Sequence, residues 1–405
     1  MVLKEQFEVS SRYRIISLSL MGVGIIAMLA GYFVYGRGDE QEQVRFWSAM
    51  LQNSIYFLLI VNAAMFFFCA TTLALAGFVM AFRRVTEAIS VAVIPLGVVA
   101  FIILMALITG HQHHLYHWLT PEGDKILEGK IGFLNPTFFT VWTILSIGLW
   151  ILLGWKMRKI SAELDDNPLP SIEAGRKYNF KNTVWASIYI VWFSLTVAST
   201  TPWLWLMSID AHWYSTMYSW YVFASTFVGG LAVITLFVIY LKNKGYLEIV
   251  TKEHLHDLGK FIFAFSIFWT YLWFSQYMLI WYANIPEETV YFKPRLEGAY
   301  KGVFWLSFII NFLAPLLILM RSSSKRNYTT LTFISVLLIF GHWLDFYQLV
   351  FAGPTPNHAP LGILDFAIAA GFVGLIMYSV ARALSKKPLY ARNHPFFKET
   401  IIHHT

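Results

Sequence analysis

Residues 15–35 read IISLSLMGVGIIAMLAGYFVY. The run holds no charged side chain and is long enough, as a helix, to cross the roughly 30 Å hydrocarbon core of a bilayer. Three basic residues, Lys4, Arg12 and Arg14, precede it. The run is therefore read as a spanning helix rather than a cleaved leader. Similar runs recur along the chain, at Ala49–Ala81, Ala88–Gly110, Pro136–Lys156, Thr183–Ser208, Ser219–Leu241, Leu258–Ile285, Gly302–Met320, Thr330–Ala352 and Leu361–Leu384. Backbone amides cannot stay unpaired in hydrocarbon, so each run must be a helix or part of a closed barrel. Barrel strands are about ten alternating residues, which these continuous runs exclude. The expected fold is all-α and integral to the membrane, with about ten spans. It comprises an N-terminal tail (1–14), a membrane domain (15–384) and a C-terminal tail (385–405). The second run exceeds one bilayer thickness and predicts tilt or an overhang.

Composition agrees. Charged residues are 13% of the chain, apolar residues 57% and mean hydropathy is +0.57, against about 25% charged in a soluble domain. The basic residues also sort by loop. With these spans, Arg37, Arg45, Lys125, Lys130, Lys293, Arg295 and Lys301 fall on one side, and the rest of the 30 Lys and Arg fall on the side of the termini. The positive-inside rule puts both termini in the cytoplasm. It also accounts for the isoelectric point near 9.2 without a nucleic-acid partner.

The redox inventory is short. Cys69 is the single cysteine and falls inside the second run, so neither an iron–sulfur cluster nor a CxxCH haem site can be built from this chain. His342 is the histidine well inside a span, which leaves no pair for a membrane b-type haem. No redox centre, covalent cofactor or metal site is expected. His111, His113, His114 and His117 cluster after the third run without a Cys or spaced carboxylate to complete a site.

Ionisable groups in a membrane are costly and mark function by default. In the ninth run His342, Asp345 and Gln348 form a stripe at i, i+3, i+6. His342 lies about 18 Å from the start of that run at 1.5 Å per residue. Asp365 opens the tenth run. These residues read either as a proton relay through the outer half of the membrane or as a buried His–Asp bond between helices. Tyr271, Ser275 and Gln276 in the seventh run, Asn62, Asn311, Thr196, Ser199, Thr200 and Thr201 offer polar lining, although most membrane Ser and Thr bond to backbone. Asp210 and His212 sit in an outer loop. Pro95, Pro202 and Pro315 are expected to kink or end their helices.

Beyond these readings, the segment from His256-Asp257-Leu258-Gly259-Lys260-Phe261 through Phe268-Trp269-Thr270-Tyr271 and Phe274-Ser275-Gln276 to Ile280-Trp281-Tyr282-Ala283-Asn284-Ile285-Pro286-Glu287-Glu288 resembles the NrfD/polysulfide-reductase-type membrane subunits of bacterial alternative complex III, and in particular the second such subunit. Arg83-Arg84-Val85-Thr86-Glu87-Ala88, Leu115-Tyr116-His117-Trp118, Met207-Ser208-Ile209-Asp210, Asn311 with Pro315, and Gly341-His342 with Asp345 agree with it. The chain departs from that pattern at Leu204, Ala211 and Trp142, where the family commonly carries Asp, Pro and Arg. The resemblance implies two four-helix bundles with flanking helices, in the bacterial inner membrane. It implies a subunit of a quinol:cytochrome c or terminal-oxidase oxidoreductase in respiratory electron transport. The implied partners are a paralogous NrfD-like subunit, an iron–sulfur protein, c-type cytochromes and a terminal oxidase. Haems and clusters would lie in those partners, and quinone and structural lipids would be this chain's ligands. Alternatives left open are a structural scaffold, a secondary quinone-binding subunit and a stand-alone secondary transporter. The nearly charge-free midplane and lack of paired interrupted spans weigh against the last.

Overall fold

A computed structural model describes residues 4–110 and 112–404, the side chain of Asp166 excepted. Among the described residues there is no strand, and ten helices are long and apolar enough to cross a membrane. They are α1 (Ser11–Val34), α2 (Glu40–Leu73), α3 (Arg83–Thr109), α4 (Pro136–Asp165), α5 (Ile172–Trp205), α6 (Met217–Asn243), α7 (Lys252–Ala283), α8 (Lys301–Leu319), α9 (Tyr328–Phe351) and α10 (Ile363–Leu384). Ten crossings bring both termini to one face, called the terminal face below; the other is the distal face.

The helix ends differ from the apolar runs in two ways. Several helices extend into charged sequence, as where α2 begins at Glu40 on an Asp39 cap and α3 begins at Arg83. In contrast, α2 stops at Leu73, although the apolar run continues to Ala81. Leu75 takes a left-handed conformation (φ 50°), and Phe78–Ala81 forms a separate 3₁₀ turn. Hydropathy cannot see this break, because the turn is itself apolar and packs beneath the C-terminal tail. There Thr400 Oγ1 accepts from Ala81 N at 3.2 Å and donates to Phe78 O at 2.9 Å. α7 ends on Asn284 in the left-handed region (φ 48°), with Pro286 blocking continuation.

The three prolines each distort a span. A turn at Ala92 interrupts α3 three residues before Pro95, and π-turns at Thr196–Thr200 in α5 and Ile309–Leu313 in α8 precede Pro202 and Pro315. Proline has no N–H and crowds the carbonyl four residues back; widening the turn absorbs that misfit.

Packing follows two rings. α2, α3, α4 and α5 each touch the next and close on α2; α6, α7, α8 and α9 do the same. α2 joins the rings by packing on both α6 and α9, and α1 leans on α10 at the edge. Burial agrees: 89% of the apolar window of α2 and of α6 is buried, against 17% for α1. Side-chain bonds fix helix register at these joints. Trp343 Nε1 donates to Asn53 Oδ1 (2.9 Å), Gln52 Nε2 to Trp343 O (3.1 Å), and Tyr189 OH to Asn62 Oδ1 (2.5 Å). Such bonds average about 0.6 kcal/mol in a membrane, so packing carries the stability and the bonds carry the geometry.

Candidate functional site

The polar centre lies in the ring of α6 to α9, on the distal side of the midplane. Asp345 is fully buried and sits about 26 Å along α9 from Tyr328 at 1.5 Å per residue. A bare carboxylate there would be prohibitively costly, and three helices supply its partners. Oδ1 accepts from Tyr221 OH on α6 and from Gln348 Nε2 at 3.2 Å. Oδ2 accepts from Ser225 Oγ on α6 at 3.2 Å and from Trp269 Nε1 on α7 at 3.3 Å.

His342, one turn back on α9, does not touch Asp345 directly. Its Nδ1 lies 2.9 Å from Ser225 Oγ, so a single hydroxyl bridges the two ionisable groups. The imidazole stands edge-on to Trp269, and its Nε2 is buried without a protein partner. Beside it Gly341 permits close approach by α8: a Cβ there would fall 2.2 Å from Asn311 Oδ1. Asn311 belongs to the π-turn of α8, is fully buried, and has neither side-chain polar atom bonded. Widened turns of this kind are common at functional sites.

Ser225 gives the pair a simple chemistry. A serine hydroxyl donates one proton and can accept another. With the imidazole protonated and Asp345 ionised, Ser225 accepts from Nδ1–H and donates to Oδ2. Moving the Nδ1 proton to Ser225 and the Ser225 proton to Asp345 leaves a neutral imidazole and a carboxylic acid. The bonds are the same with donor and acceptor exchanged.

Toward the distal face the polar path continues through Arg295. This residue lies between α7 and α8, is 2% exposed, and donates NH2 to Gln348 O at 3.1 Å and NH1 to Tyr291 O. Its guanidinium lies 3.6 Å from the Tyr291 ring centroid, and Tyr291 stacks on Trp213 at 3.9 Å. Asp210 Oδ2 is 3.7 Å from Arg295 NH2. Burial pushes the Asp210 carboxyl above its usual range, opposed by the Arg295 guanidinium. Asp210 and Arg295 line a cavity of about 580 Å³ at the distal face, together with Tyr291 and Gly353. Gly353 leaves room for this carboxylate, since a Cβ there would lie 2.2 Å from Asp210 Oδ1 and displace it.

The other residues singled out from sequence fall elsewhere. Asp365 is fully buried but belongs to a different cluster. It accepts from Arg45 NH2 at 2.8 Å and caps α10 through Gly362 N at 2.9 Å. Arg45, read as a loop charge, is in the second turn of α2. Tyr271 faces outward and is 63% exposed. Ser275 Oγ bonds Leu272 O at 3.2 Å, and Gln276 is buried with Nε2 unpartnered. His212 pairs with Asp124 at 2.5 Å. Among the distal-face histidines, His114 Nδ1 meets Glu40 at 2.6 Å and the His113 ring lies tilted against that of His114, while His111 lies outside the described residues. No group of three His, Cys, Asp or Glu among the described residues could hold a metal ion.

Tyr221, Ser225, Trp269 and Arg295 are the cluster members that sequence reasoning missed. No family model and no curated protein matches this chain.

Proposed function

We propose that this chain is a non-redox membrane subunit of a quinol-oxidising respiratory complex of the alternative complex III type, and that the Asp345 cluster passes protons through the distal half of its second helix ring. The observation that carries the relay is the hydrogen-bonded link from His342 through Ser225 to Asp345, with Gln348 beside it; the Gln348 main-chain carbonyl accepts from Arg295, which lies 3.7 Å from Asp210 at the distal cavity. The signature at His256–Glu288 and the two rings of four helices support the family reading. In this reading both termini are cytoplasmic, the membrane is the bacterial inner membrane, and haems and clusters belong to partner subunits. Quinol oxidation releases protons, and a subunit without electron carriers contributes by conducting them.

A second reading is favoured by one observation: four donors saturate Asp345 and draw α6 and α7 onto α9. That geometry also suits a scaffold. Asp345→Asn separates the two, because the amide keeps size and some bonding but cannot carry a proton. In vesicles containing the assembled complex, protons released per electron should fall in the variant at equal assembly. Wild-type quinol oxidation with an unchanged proton yield would leave the scaffold alone.

A further inference from the structure

A second polar centre, remote from Asp345, lies at the terminal face between α3, α4 and α10. Its inner wall is neutralised. Arg84 NH1 meets Glu87 at 2.7 Å, Arg83 Nε meets Glu87 at 3.3 Å, and Arg84 NH2 pairs with Asp165. Arg158 NH1 donates only to the hydroxyl of Ser90, at 2.9 Å.

Outside that wall opens a cleft of about 710 Å³. Arg84, Arg158, Lys159, Arg382, Lys386 and Lys387 line it, and Glu87 is its one acidic group. Glu87 is already shared by two arginines, and Asp165, an acid near Lys387, is held by Arg84. Lys159 makes a cation–π contact over Trp155 at 5.2 Å. No ion pair forms to Arg158, Lys159, Arg382, Lys386 or Lys387 among the described residues. Arg84 is 3% exposed, and its Nε is buried without a partner. Below this basic rim the lining turns apolar, at Met21, Ile94 and Leu375. Those residues belong to α1, α3 and α10, inside the spans.

We infer that this cleft is a binding site for an anionic phospholipid, with the phosphate on the basic rim and the acyl chains on the apolar wall. A cluster of cations at the end of spanning helices is electrostatically suited to an anionic headgroup, at the depth where such headgroups lie. A free inorganic anion would use the rim and leave the apolar wall unexplained; a zwitterionic lipid would leave most of the basic excess uncompensated. The guanidiniums of Arg158 and Arg382 can each present two parallel N–H donors to phosphate. This site is independent of the proton relay and of the family reading.

The test uses the full chain in mild detergent, stripped of lipid, then given phosphatidylglycerol or phosphatidylcholine with identical chains. Native mass spectrometry reads occupancy. Phosphatidylglycerol should bind preferentially and saturate at one molecule per chain. The exposed pair Arg382→Gln/Lys386→Gln should weaken it about thirtyfold, as expected for two surface cations. Lys159→Gln/Lys387→Gln is the independent second variant, and Arg382→Lys/Lys386→Arg should restore binding. Equal binding of the two lipids, or wild-type occupancy in both Gln pairs, would overturn the proposal. Displacement of phosphatidylglycerol by equimolar inorganic phosphate would assign the rim to a free anion instead.

Discussion

Ser225 is the residue on which the Asp345 cluster turns. Among the described residues it is the only side chain hydrogen-bonded to both His342 and Asp345, so its hydroxyl is the link between them. Ser225→Ala removes that link while Tyr221, Trp269 and Gln348 still hold the carboxylate. The expected outcome is an intact complex with lowered proton yield per electron, and partial return in Ser225→Thr, which keeps a hydroxyl. A purely structural cluster predicts the reverse: an unchanged yield with a cost of about 1–3 kcal/mol for the orphaned polar group, read as a lower melting temperature. His342, Asp345 and Gln348 were legible in sequence because charged and amide side chains are rare in a span and share one helical stripe. Tyr221, Ser225 and Trp269 were not, because membrane helices are rich in such residues and most of them serve packing or backbone bonds. Arg295 and Arg45 were hidden differently. Loop length and charge counting place both outside the membrane, yet Arg295 folds inward onto Gln348 and Arg45 onto Asp365.

At the scale of elements, apolar runs located all ten helices because lipid imposes one length and one composition on each. Their ends were not legible. Charged residues such as Arg83, Arg84 and Glu87 extend a helix when they neutralise one another, as these do. The apolar stretch 74–81 leaves the helix when a tail covers it. The pairing of α1 with α10 shows what small residues decide. α1 is mostly exposed, and Gly24 meets Gly371 so closely that a Cβ on Gly24 would lie 2.3 Å from the Gly371 Cα. A Cβ on Gly374 would likewise lie 2.7 Å from Ser17 O and from Met21 N. Backbones this close gain dispersion contacts that larger residues would prevent. Gly371→Leu should separate the pair without disturbing either four-helix ring. The expected result is early proteolytic release of an N-terminal fragment containing α1, with a stability loss of about 1–3 kcal/mol from overpacking. Gly22→Leu on α1 should be neutral, since nothing lies within 4 Å of its Cβ position.

At the scale of the whole molecule, orientation ties the two polar centres to the two compartments. The structure places the Asp345 cluster toward one face and the lipid cleft at the other. In the reading proposed above, the charge asymmetry of the loops puts the terminal face in the cytoplasm. The single Cys69 is fully buried in α2, so cysteines introduced elsewhere report without background in the folded protein. Lys386 and Lys181 lie on the terminal face, and Lys125 and Lys293 on the distal face; Lys181 is a partly exposed residue in the polar first turns of α5, and the others lie in loops or at the starts of short helices. Replaced by Cys in intact cells, Lys125 and Lys293 should react with a membrane-impermeant maleimide. Lys181 and Lys386 should react only after the membrane is opened. The opposite pattern would put the Asp210–Arg295 cavity in the cytoplasm, where the Asp345 group would serve uptake rather than release. It would also turn the basic cleft outward, away from the leaflet whose anionic surface attracts polybasic segments. Labelling on both sides from one compartment would mean that a helix counted here as a span does not cross, and α8, the shortest of the ten, is the first to test.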